Sequence, residues 1–277
     1  MNEQPPMFFK IHIPEHPLLE FIENIIYYSG YCPPHSKDKL LPDGHVEMVI
    51  DLTDTQKHVY DNRDLSEQSS YRRGWLSGIR KEFITIESAQ NSSMMVVRFR
   101  PGRALPFFGI PLSEFENQVV EMESIWGSDF LWLREEIIEA TTPSGRIAVL
   151  EKHLLRIAHR RLEFNQSVDH AVKLLSNASG LTIAELRNRI GFSHRHLVSL
   201  FHKHVGIGPK YYSRLMKFQT VLAALELQQK LNWTWIAQDC GYYDQAHFIN
   251  EFRQFSGLTP TSYLGEKGEY LNYIPIH

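Results

Sequence analysis

The sequence has few cysteines and no long apolar run. Its 277 residues include only two cysteines, Cys32 and Cys240, which is too few for a disulfide framework and fits a reducing compartment. No apolar segment approaches the roughly 18 residues that a membrane-spanning helix needs, and the N-terminus lacks a signal-peptide pattern. We therefore expect a cytoplasmic protein that neither spans a membrane nor is exported.

A strong net charge of either sign is also lacking. The chain carries a formal charge of −3, yet residues 166 to 265 contain ten Lys or Arg and six Asp or Glu, so this segment is +4 and the remainder is −7. A basic C-terminal third beside an acidic remainder favours a domain that contacts phosphates and another that does not. A length of 277 residues fits two domains.

The C-terminal third contains an internal repeat. Six positions of the first copy recur in the second. The offset is 50 residues at the turn glycine and 51 residues after it. The matched pairs are Gly191 and Gly241, Ser193 and Asp244, Leu197 and Phe248, Phe201 and Phe252, Gly206 and Gly257, and Pro209 and Pro260. Thr182 and Glu185 have the spacing of a capping box, and Asn232 is the equivalent N-cap candidate. Each copy therefore predicts a helix, a glycine-bearing turn, a second helix and a break.

Two helices joined by a short glycine-bearing turn are typical of a helix-turn-helix, whose second helix enters the DNA major groove. Residues 209 to 230 place apolar side chains three or four apart, which predicts one continuous helix between the two copies. The same spacing also fits a tandem helical repeat that binds protein. Spacing alone leaves both interpretations open.

The segment from Ser167 to Leu264 resembles the tandem helix-turn-helix domain of the AraC/XylS family of bacterial transcription regulators. The motif of the second copy is carried by Ile236, Ala237, Gly241, Tyr242, Asp244, Phe248, Phe252, Arg253, Gly257, Thr259 and Pro260. The resemblance implies that the linker helix holds both recognition helices on one face of double-stranded DNA. It also implies RNA polymerase and a second copy of the chain as further partners.

The helical periodicity predicts which side chains of the two recognition helices point outward. The predicted DNA contacts are His194, Arg195, Val198, Ser199 and His202 in the first helix, and Gln245, Ala246, His247, Asn250 and Arg253 in the second. Arg195 can pair with guanine, and Gln245 or Asn250 with adenine, through two hydrogen bonds each.

Three positions depart from the family pattern. Ser199 and Asn250 stand where family members often carry Arg, so a base preference is not transferable. Arg187 stands where the second copy keeps the small Ala237. Either Arg187 extends outward along the helix pair, or the first unit docks differently on DNA.

The first 165 residues have the pattern of strands rather than helices. Alternating apolar residues in HVEMVIDL and FITIE, and the apolar run MMVVRFR, predict strands between Pro-Asp-Gly and Pro-Gly turns. The predicted fold is α+β: a strand-rich N-terminal domain, then an all-α domain of two helix-turn-helix units joined by a linker helix. The predicted boundaries are 1–135 for a sensor domain, 136–165 for a helical connector, 166–265 for the DNA-binding domain and 266–277 for a C-terminal tail.

Residues 8 to 155 also resemble an N-terminal domain of unassigned function that often precedes an AraC-type DNA-binding domain. The likeness rests on the Pro-Asp-Gly and Arg-Pro-Gly turns, and it implies a sensing or dimerising role without naming a ligand. Arg98, Arg100 and Arg103 around the second turn are the predicted contacts for an anionic effector.

Two enzymatic alternatives were weighed against regulation. A metal or catalytic site could use the residues that are close in sequence: Cys32, His35, Asp43, His45 and Glu47. A full ligand set cannot be assembled from them. A DNA-repair methyl acceptor would need Cys32 as nucleophile, and no base or oxyanion partner is identifiable near it. We therefore expect no catalytic residues, no metal and no cofactor.

Overall fold

The computed structural model describes residues 7–158, 162–177, 180–227 and 233–276. The N-cap predicted at Asn232 lies outside these residues. The end of the linker helix predicted at 228–230 lies outside them as well.

Strands dominate the N-terminal part of the described chain. They are β1 (Phe8–His12), β2 (Ile22–Tyr31), β3 (Lys37–Leu40), β4 (Val46–Asp51), β5 (Lys57–Tyr60), β6 (Glu67–Tyr71), β7 (Gly74–Ser77), β8 (Ile84–Glu87), β9 (Ser92–Phe99), β10 (Val119–Glu121) and β11 (Tyr273–Ile276). Within the described residues they form a six-stranded sheet in the order β1-β2-β9-β4-β7-β10 and a five-stranded sheet in the order β11-β3-β8-β5-β6.

The three strands expected from sequence are central to these sheets. β9 pairs antiparallel with both β2 and β4, so the apolar run MMVVRFR lies in the middle of the larger sheet. Val46, Met48 and Ile50 of β4 are buried as their alternation predicts. The turns before β4 and after β9 use Gly44 at φ 88° and Gly102 at φ 79°, a left-handed conformation that glycine adopts without strain.

Helices make up most of the remaining described chain. They are α1 (Leu105–Phe108), α2 (Met122–Trp126), α3 (Ser128–Glu139), α4 (Pro143–Ala158), α5 (Gln166–Asn177), α6 (Ile183–Ile190), α7 (His194–His204), α8 (Pro209–Leu227), α9 (Trp233–Asp239), α10 (Gln245–Ser256) and α11 (Pro260–Glu266). Short 3-10 helices span Leu18–Glu20 and Leu112–Phe115. The predicted α+β fold, with strands first and helix-turn-helix units second, is confirmed.

The segment predicted as a C-terminal tail, residues 266–277, contains the strand β11. This strand pairs antiparallel with β3, with Tyr273 opposite Leu40 and Ile276 opposite Lys37. Ile274 is 1% exposed and belongs to the same hydrophobic core as the helices. The last strand therefore returns from the DNA-binding region to the N-terminal sheet. The other predicted domain boundaries stay predictions.

Candidate nucleic-acid interface

The first helix-turn-helix unit consists of α6 and α7. Thr182 caps α6 in the predicted capping box: its hydroxyl accepts from the backbone of Glu185, whose carboxylate accepts from the backbone of Thr182 at 2.9 Å. Gly191 ends α6 at φ 72°, and the Ser193 hydroxyl accepts from the backbone N–H of His196 at the start of α7. Side-chain caps of this kind fix where a helix starts.

One side of α7 is buried and the other is accessible. Leu197 and Phe201 are buried in the core, whereas His194, Arg195 and Ser199 are exposed. Four further side chains of the helix are half-buried: Val198, Leu200, His202 and His204. The exposed part of the predicted contact surface is therefore its N-terminal half, which is the half that recognition helices direct at base edges.

The second unit consists of α9 and α10. The Asp244 carboxylate accepts from the backbone N–H of His247 at 2.7 Å and caps α10. Phe248 and Phe252 are both buried, with ring centroids 6.0 Å apart. Phe252 also packs edge-on against Phe218 of α8 at 5.2 Å. This aromatic contact joins the second recognition helix to the linker helix.

All five predicted contacts of the second helix are exposed: Gln245, Ala246, His247, Asn250 and Arg253. The buried side of α10 includes Glu251, whose carboxylate lies 2.5 Å from Nε of Arg214 and 3.5 Å from Nε2 of His247. His247 is therefore tied to its own helix, while Asn250 projects away from the core. Whether these side chains contact bases stays a prediction.

A basic cleft beside α10 was missed by the sequence analysis. It has a volume of about 390 Å³ and is lined by Lys210, Arg214, Lys217, Tyr242, His247 and Glu251. Nζ of Lys217 donates to the carbonyl of Gly241 at 3.0 Å, directly before α10. Positions 210, 214 and 217 are spaced to share one helix face. That spacing could have indicated the cleft, but these residues were considered only as part of the linker.

Arg187 lies against the turn of its own unit, and how this unit docks on DNA stays a prediction. It is half-buried, and its Nε donates to the carbonyl of Phe192 at 3.5 Å, in the turn of its own unit. The larger side chain is therefore accommodated without displacing Leu186, which is buried under α7.

The linker helix α8 is continuous from Pro209 to Leu227. Its predicted stripe is fully buried in the core: Tyr212, Leu215, Phe218, Leu222 and Leu225. The two units are therefore held by one rigid element with a shared core.

The loop between β7 and β8 contacts both units, and we call residues 79–83 the junction loop. Ile79 packs against Gly206, which follows α7. A Cβ on Gly206 would lie 2.6 Å from Cγ2 of Ile79. The hydroxyl of Tyr211 on α8 donates to the carbonyl of Lys81 at 2.7 Å. The ring of Phe83 lies against Gly257, at the end of α10. One short loop of the N-terminal domain thus contacts the C-terminal ends of both recognition helices.

Arg98, a predicted effector contact, belongs to a charged cluster. Its guanidinium donates to the carboxylates of Asp43 and Glu47, the latter at 3.0 Å. His45 lies in the same cluster, with Nε2 2.7 Å from Glu23 and Nδ1 3.2 Å from Asp43. Nδ1 also lies 3.0 Å from an Arg98 nitrogen, but a guanidinium cannot accept a hydrogen bond. A protonated Nδ1 therefore donates to Asp43.

The pKa values of this cluster follow from its geometry. Burial opposes charge on His45, but Asp43 and Glu23 outweigh it and raise the pKa of His45 to about 9. Burial would likewise raise the pKa of Asp43, yet His45 and Arg98 lower it below its usual range. Asp43 and Glu23 thus favour the charged form of His45, whereas burial raises the pKa of the neighbouring Glu47.

The other two predicted effector contacts also have partners within the chain. Arg100 donates from Nε to the carbonyl of Leu19 at 2.9 Å. Arg103 is buried and pairs with Asp169 of α5 at 2.5 Å, with its guanidinium 3.3 Å from the ring centroid of Phe164. An effector at Arg98, Arg100 or Arg103 would have to displace these partners. The predicted role of the three arginines stays untested.

Of the residues considered for metal binding or catalysis, Asp43, His45 and Glu47 belong to the Arg98 cluster. Among the described residues, no group of three or more His, Cys, Asp or Glu side chains could hold a metal ion. Sγ of Cys32 accepts a hydrogen bond from the backbone of Asn91 at 3.3 Å. Over the described part of the chain, no helix has the length and apolar character needed to cross a membrane.

Two protein families match parts of the chain. Residues 186–266 match a family described as a helix-turn-helix domain, which confirms the resemblance to the AraC-type DNA-binding domain. Residues 10–121 match a family described as a domain of unknown function, a shorter range than the predicted 8–155. Neither family is described as catalytic. No protein of curated function matches the chain in sequence.

Solved structures to which this chain is similar include ToxT and two transcription activators. ToxT from Vibrio cholerae is 9% identical, with 94% of this chain and 97% of that chain covered and a TM-score of 0.45. The xylose-binding transcription activator XylR is 20% identical over 45% of this chain and 39% of that chain, with a TM-score of 0.35. The AraC-like transcriptional activator CuxR is 13% identical over 78% and 86% of the two chains, with a TM-score of 0.26. All three scores are below 0.5, so the functional argument rests on the family match and on the residues of this chain.

Proposed function

We propose, from the premise that this chain carries an AraC-type helix-turn-helix domain at residues 186–266, that it regulates transcription by binding specific DNA sequences with both units. The observation that carries the proposal is the pair of capped helices α7 and α10, each with a buried apolar side and an exposed polar side, joined by one buried linker helix. A protein-binding helical repeat would not require this match or a basic cleft beside α10.

The roles of the exposed side chains follow from their hydrogen-bonding groups. Arg195 offers a donor fork to guanine, and Gln245 and Asn250 each offer a donor and an acceptor to adenine. Val198 and Ala246 present apolar surface that suits the methyl group of thymine. The remaining predicted contacts lie beside these positions and position the helices: His194, Ser199, His202, His247 and Arg253.

The basic cleft supplies contacts to the phosphate backbone. Lys210 is exposed at the start of α8, and Lys217 lies next to the turn that precedes α10. Cations beside a recognition helix fix its register on the duplex without distinguishing sequences.

The test is a mobility shift of the full chain with sites selected from a random duplex pool. If about six phosphates are neutralised, affinity falls by a factor on the order of 10³ between roughly 50 and 200 mM salt. Lys210→Gln should reduce this salt dependence and weaken binding to all DNA sequences equally. Lys152→Gln on α4, at an exposed position outside the DNA-binding domain, is the matched control. Salt-insensitive binding, or selection of no common sequence, would favour a protein-binding repeat.

We extend the proposal to a sensing role for the N-terminal domain, with the predicted division into 1–135, 136–165 and 166–265. The junction loop supports this role, because it contacts Gly206, Tyr211 and Gly257 in the DNA-binding domain. A ligand that shifts this loop would act on both recognition helices at once. Contact with RNA polymerase stays a prediction from the resemblance.

A second copy of the chain is the proposed partner for β1. Within the described residues this strand pairs on one side only, with β2, and leaves an open edge. Phe9 and Ile11 on this strand and Ile13 just after it are exposed, and an open apolar edge is a surface for pairing with another strand. Sedimentation of the wild-type chain and of Ile11→Lys tests this, since only a dimer through β1 would dissociate in the variant.

A further inference from the structure

A cleft opens in the N-terminal domain where the edge strands of the two sheets face each other. We call it the edge cleft; its volume is about 340 Å³, within the range of small-molecule sites. β6 ends the smaller sheet and β10 ends the larger one. The lining includes the polar residues Gln68, Ser69 and Gln118 and the aromatic residues Tyr60, Tyr71 and Phe83. Arg80 and the carboxylate of Glu82 also line the cleft.

Arg80 in this cleft lacks the partners that a buried guanidinium requires. Its Nε and Nη2 atoms are fully buried and have no hydrogen-bond partner among the described residues. Within the described chain, the Arg80 side chain makes one hydrogen bond, from Nη1 to the carbonyl of Asn117, at a long distance of 3.4 Å. Burial lowers the pKa of Arg80 to about 10, but at neutral pH the group remains charged.

Three other arginines of the described chain all have ion-pair partners; Arg103 and Arg134 are buried, and Arg98 is half-buried. Arg98 binds Asp43 and Glu47, Arg103 binds Asp169, and Arg134 lies 2.9 Å from Asp54 while donating to two backbone carbonyls. These contacts offset the large cost of removing a charge from water. Within the described residues, no carboxylate forms an ion pair with Arg80.

We infer that the edge cleft binds a small organic anion whose carboxylate or phosphate group pairs with the guanidinium of Arg80, after Nε and Nη2 turn from their buried position into the cleft. Two adjacent N–H groups of one guanidinium match the two oxygens of such an anion. The polar lining from Gln68, Ser69 and Gln118 favours a hydrophilic body rather than a long acyl chain. Tyr60, Tyr71 and Phe83 provide flat apolar surface beside it.

The place of Arg80 in the chain gives this site a regulatory consequence. Arg80 belongs to the junction loop, one residue before the Lys81 carbonyl that binds Tyr211 and three before the ring that packs on Gly257. The inference thus deepens the proposed sensing role and rests on it. An anion that moves Arg80 would change DNA affinity, and DNA would change anion affinity by the same factor.

The test uses the full chain and two probes, inorganic phosphate and acetate, each compared with chloride at equal ionic strength. At ten times its dissociation constant, a bound anion should raise the melting temperature by about 3 to 6 °C. The increase in melting temperature should saturate with the concentration of phosphate, of acetate or of both. The probe that produces it shows whether the natural ligand carries a phosphate or a carboxylate group.

Three variants separate a ligand site from a structural role. Arg80→Met should melt at the same temperature as wild type or higher without added anion, because an unpaired buried charge is removed, and it should lose the rise. Arg80→Lys keeps the charge but loses the two-pronged geometry, so a higher anion concentration should be needed. Arg72→Gln, which removes an exposed arginine from the same domain, should keep the full rise.

Several results would overturn the inference: no saturable rise in either arm, a rise that persists in Arg80→Met, an equal loss in Arg72→Gln, or a lower melting temperature of both Arg80 variants without anion. DNA binding is measured on the same preparations. Retained DNA binding without an anion response refutes the edge-cleft site alone, whereas absent DNA binding by the wild type refutes the proposed function.

Discussion

The ring of Phe83, in the N-terminal domain, lies directly against the α-carbon of Gly257, which ends the second recognition helix. A Cβ at Gly257 would stand 2.6 Å from Cε1 and 2.8 Å from Cζ of that ring. Gly257 also has φ 72°, a conformation that side chains other than glycine rarely adopt. The residue that terminates α10 therefore also forms one of the contacts between the two domains.

Gly257→Ala should lower the free energy of unfolding by about 1 to 3 kcal/mol, the usual cost of a strained left-handed residue, with a further loss from displacing Phe83. Denaturant unfolding of the full chain measures this. Gly265→Ala on α11 is the control, since a Cβ there meets no atom within 4 Å. In a double-mutant cycle, Phe83→Leu should relieve part of the loss; strictly additive losses would mean that the ring contact is unimportant.

Phe252→Ala should destabilise the chain by about 3 to 5 kcal/mol, because the removed ring is buried and packs on Phe218, Phe248 and Tyr263. Thermal unfolding checks this value. Asn250→Ala, two residues away and exposed, should leave the melting temperature nearly unchanged. Equal effects of the two substitutions would contradict the assigned faces of α10.

Arg195→Ala and Asn250→Ala should each remove about 1 to 3 kcal/mol of discrimination at particular base pairs. If the two recognition helices enter successive major-groove segments, the affected positions lie about ten base pairs apart. Competition binding with single-base variants of the selected site locates them. If both substitutions weakened binding to every DNA sequence equally, these side chains would be phosphate contacts instead.

Stability should depend on pH through His45. Its folded pKa is raised to about 9 while the unfolded value is near 6.5, so its contribution is fully present below about pH 6.5 and is lost as the pH rises to about 9. The surrounding charged groups are Glu23, Asp43, Glu47 and Arg98. The slope should reach about 1.4 kcal/mol per pH unit at most.

Urea unfolding between about pH 6.5 and 9 measures the His45 contribution. His45→Gln should flatten the curve, whereas His194→Gln, at an exposed position on α7, should leave it unchanged. A wild-type stability that stays flat or rises over this range would show that His45 is neutral in the folded chain.

Ile274→Ala should cost about 2 to 5 kcal/mol, as expected for emptying a buried aliphatic site, although the residue was predicted to lie in a tail. Ile274 is 1% exposed, while Ile276 on the same strand is half-buried and serves as the milder comparison. Calorimetry of the full chain tests the difference. A negligible effect at Ile274 would mean that β11 is not part of the stable core.

The sequence analysis correctly predicted the elements whose signals lie within a few consecutive residues. Period-two alternation located β4 and β8, the capping box fixed the start of α6, and the Phe248 and Phe252 spacing identified the buried side of α10. These features depend on residues within a few positions of one another. The edge strand β1 and the short strands β5 and β6 carry weaker alternation, and the sequence analysis did not identify them.

Features that depend on distant pairing were not predictable from one sequence. Arg98 and Arg103 were considered as effector contacts because the carboxylates that pair with them come from other elements, 55 and 66 residues away at Asp43 and Asp169. The opposite error concerned Arg80: nothing in its local sequence distinguishes it from a solvated arginine. Its lack of partners is visible only once two sheet edges are brought together.

The pairing of β11 with β3 has a consequence for how the protein is made. The ribosome synthesises both helix-turn-helix units before residues 273–276, so the β3 edge of the smaller sheet stays uncovered until the last strand emerges. A chain that stops early would present the unpaired backbone of Lys37–Leu40, which is a template for aggregation and a signal for proteolysis. A finished N-terminal sheet is therefore found only on molecules that already carry a complete DNA-binding domain.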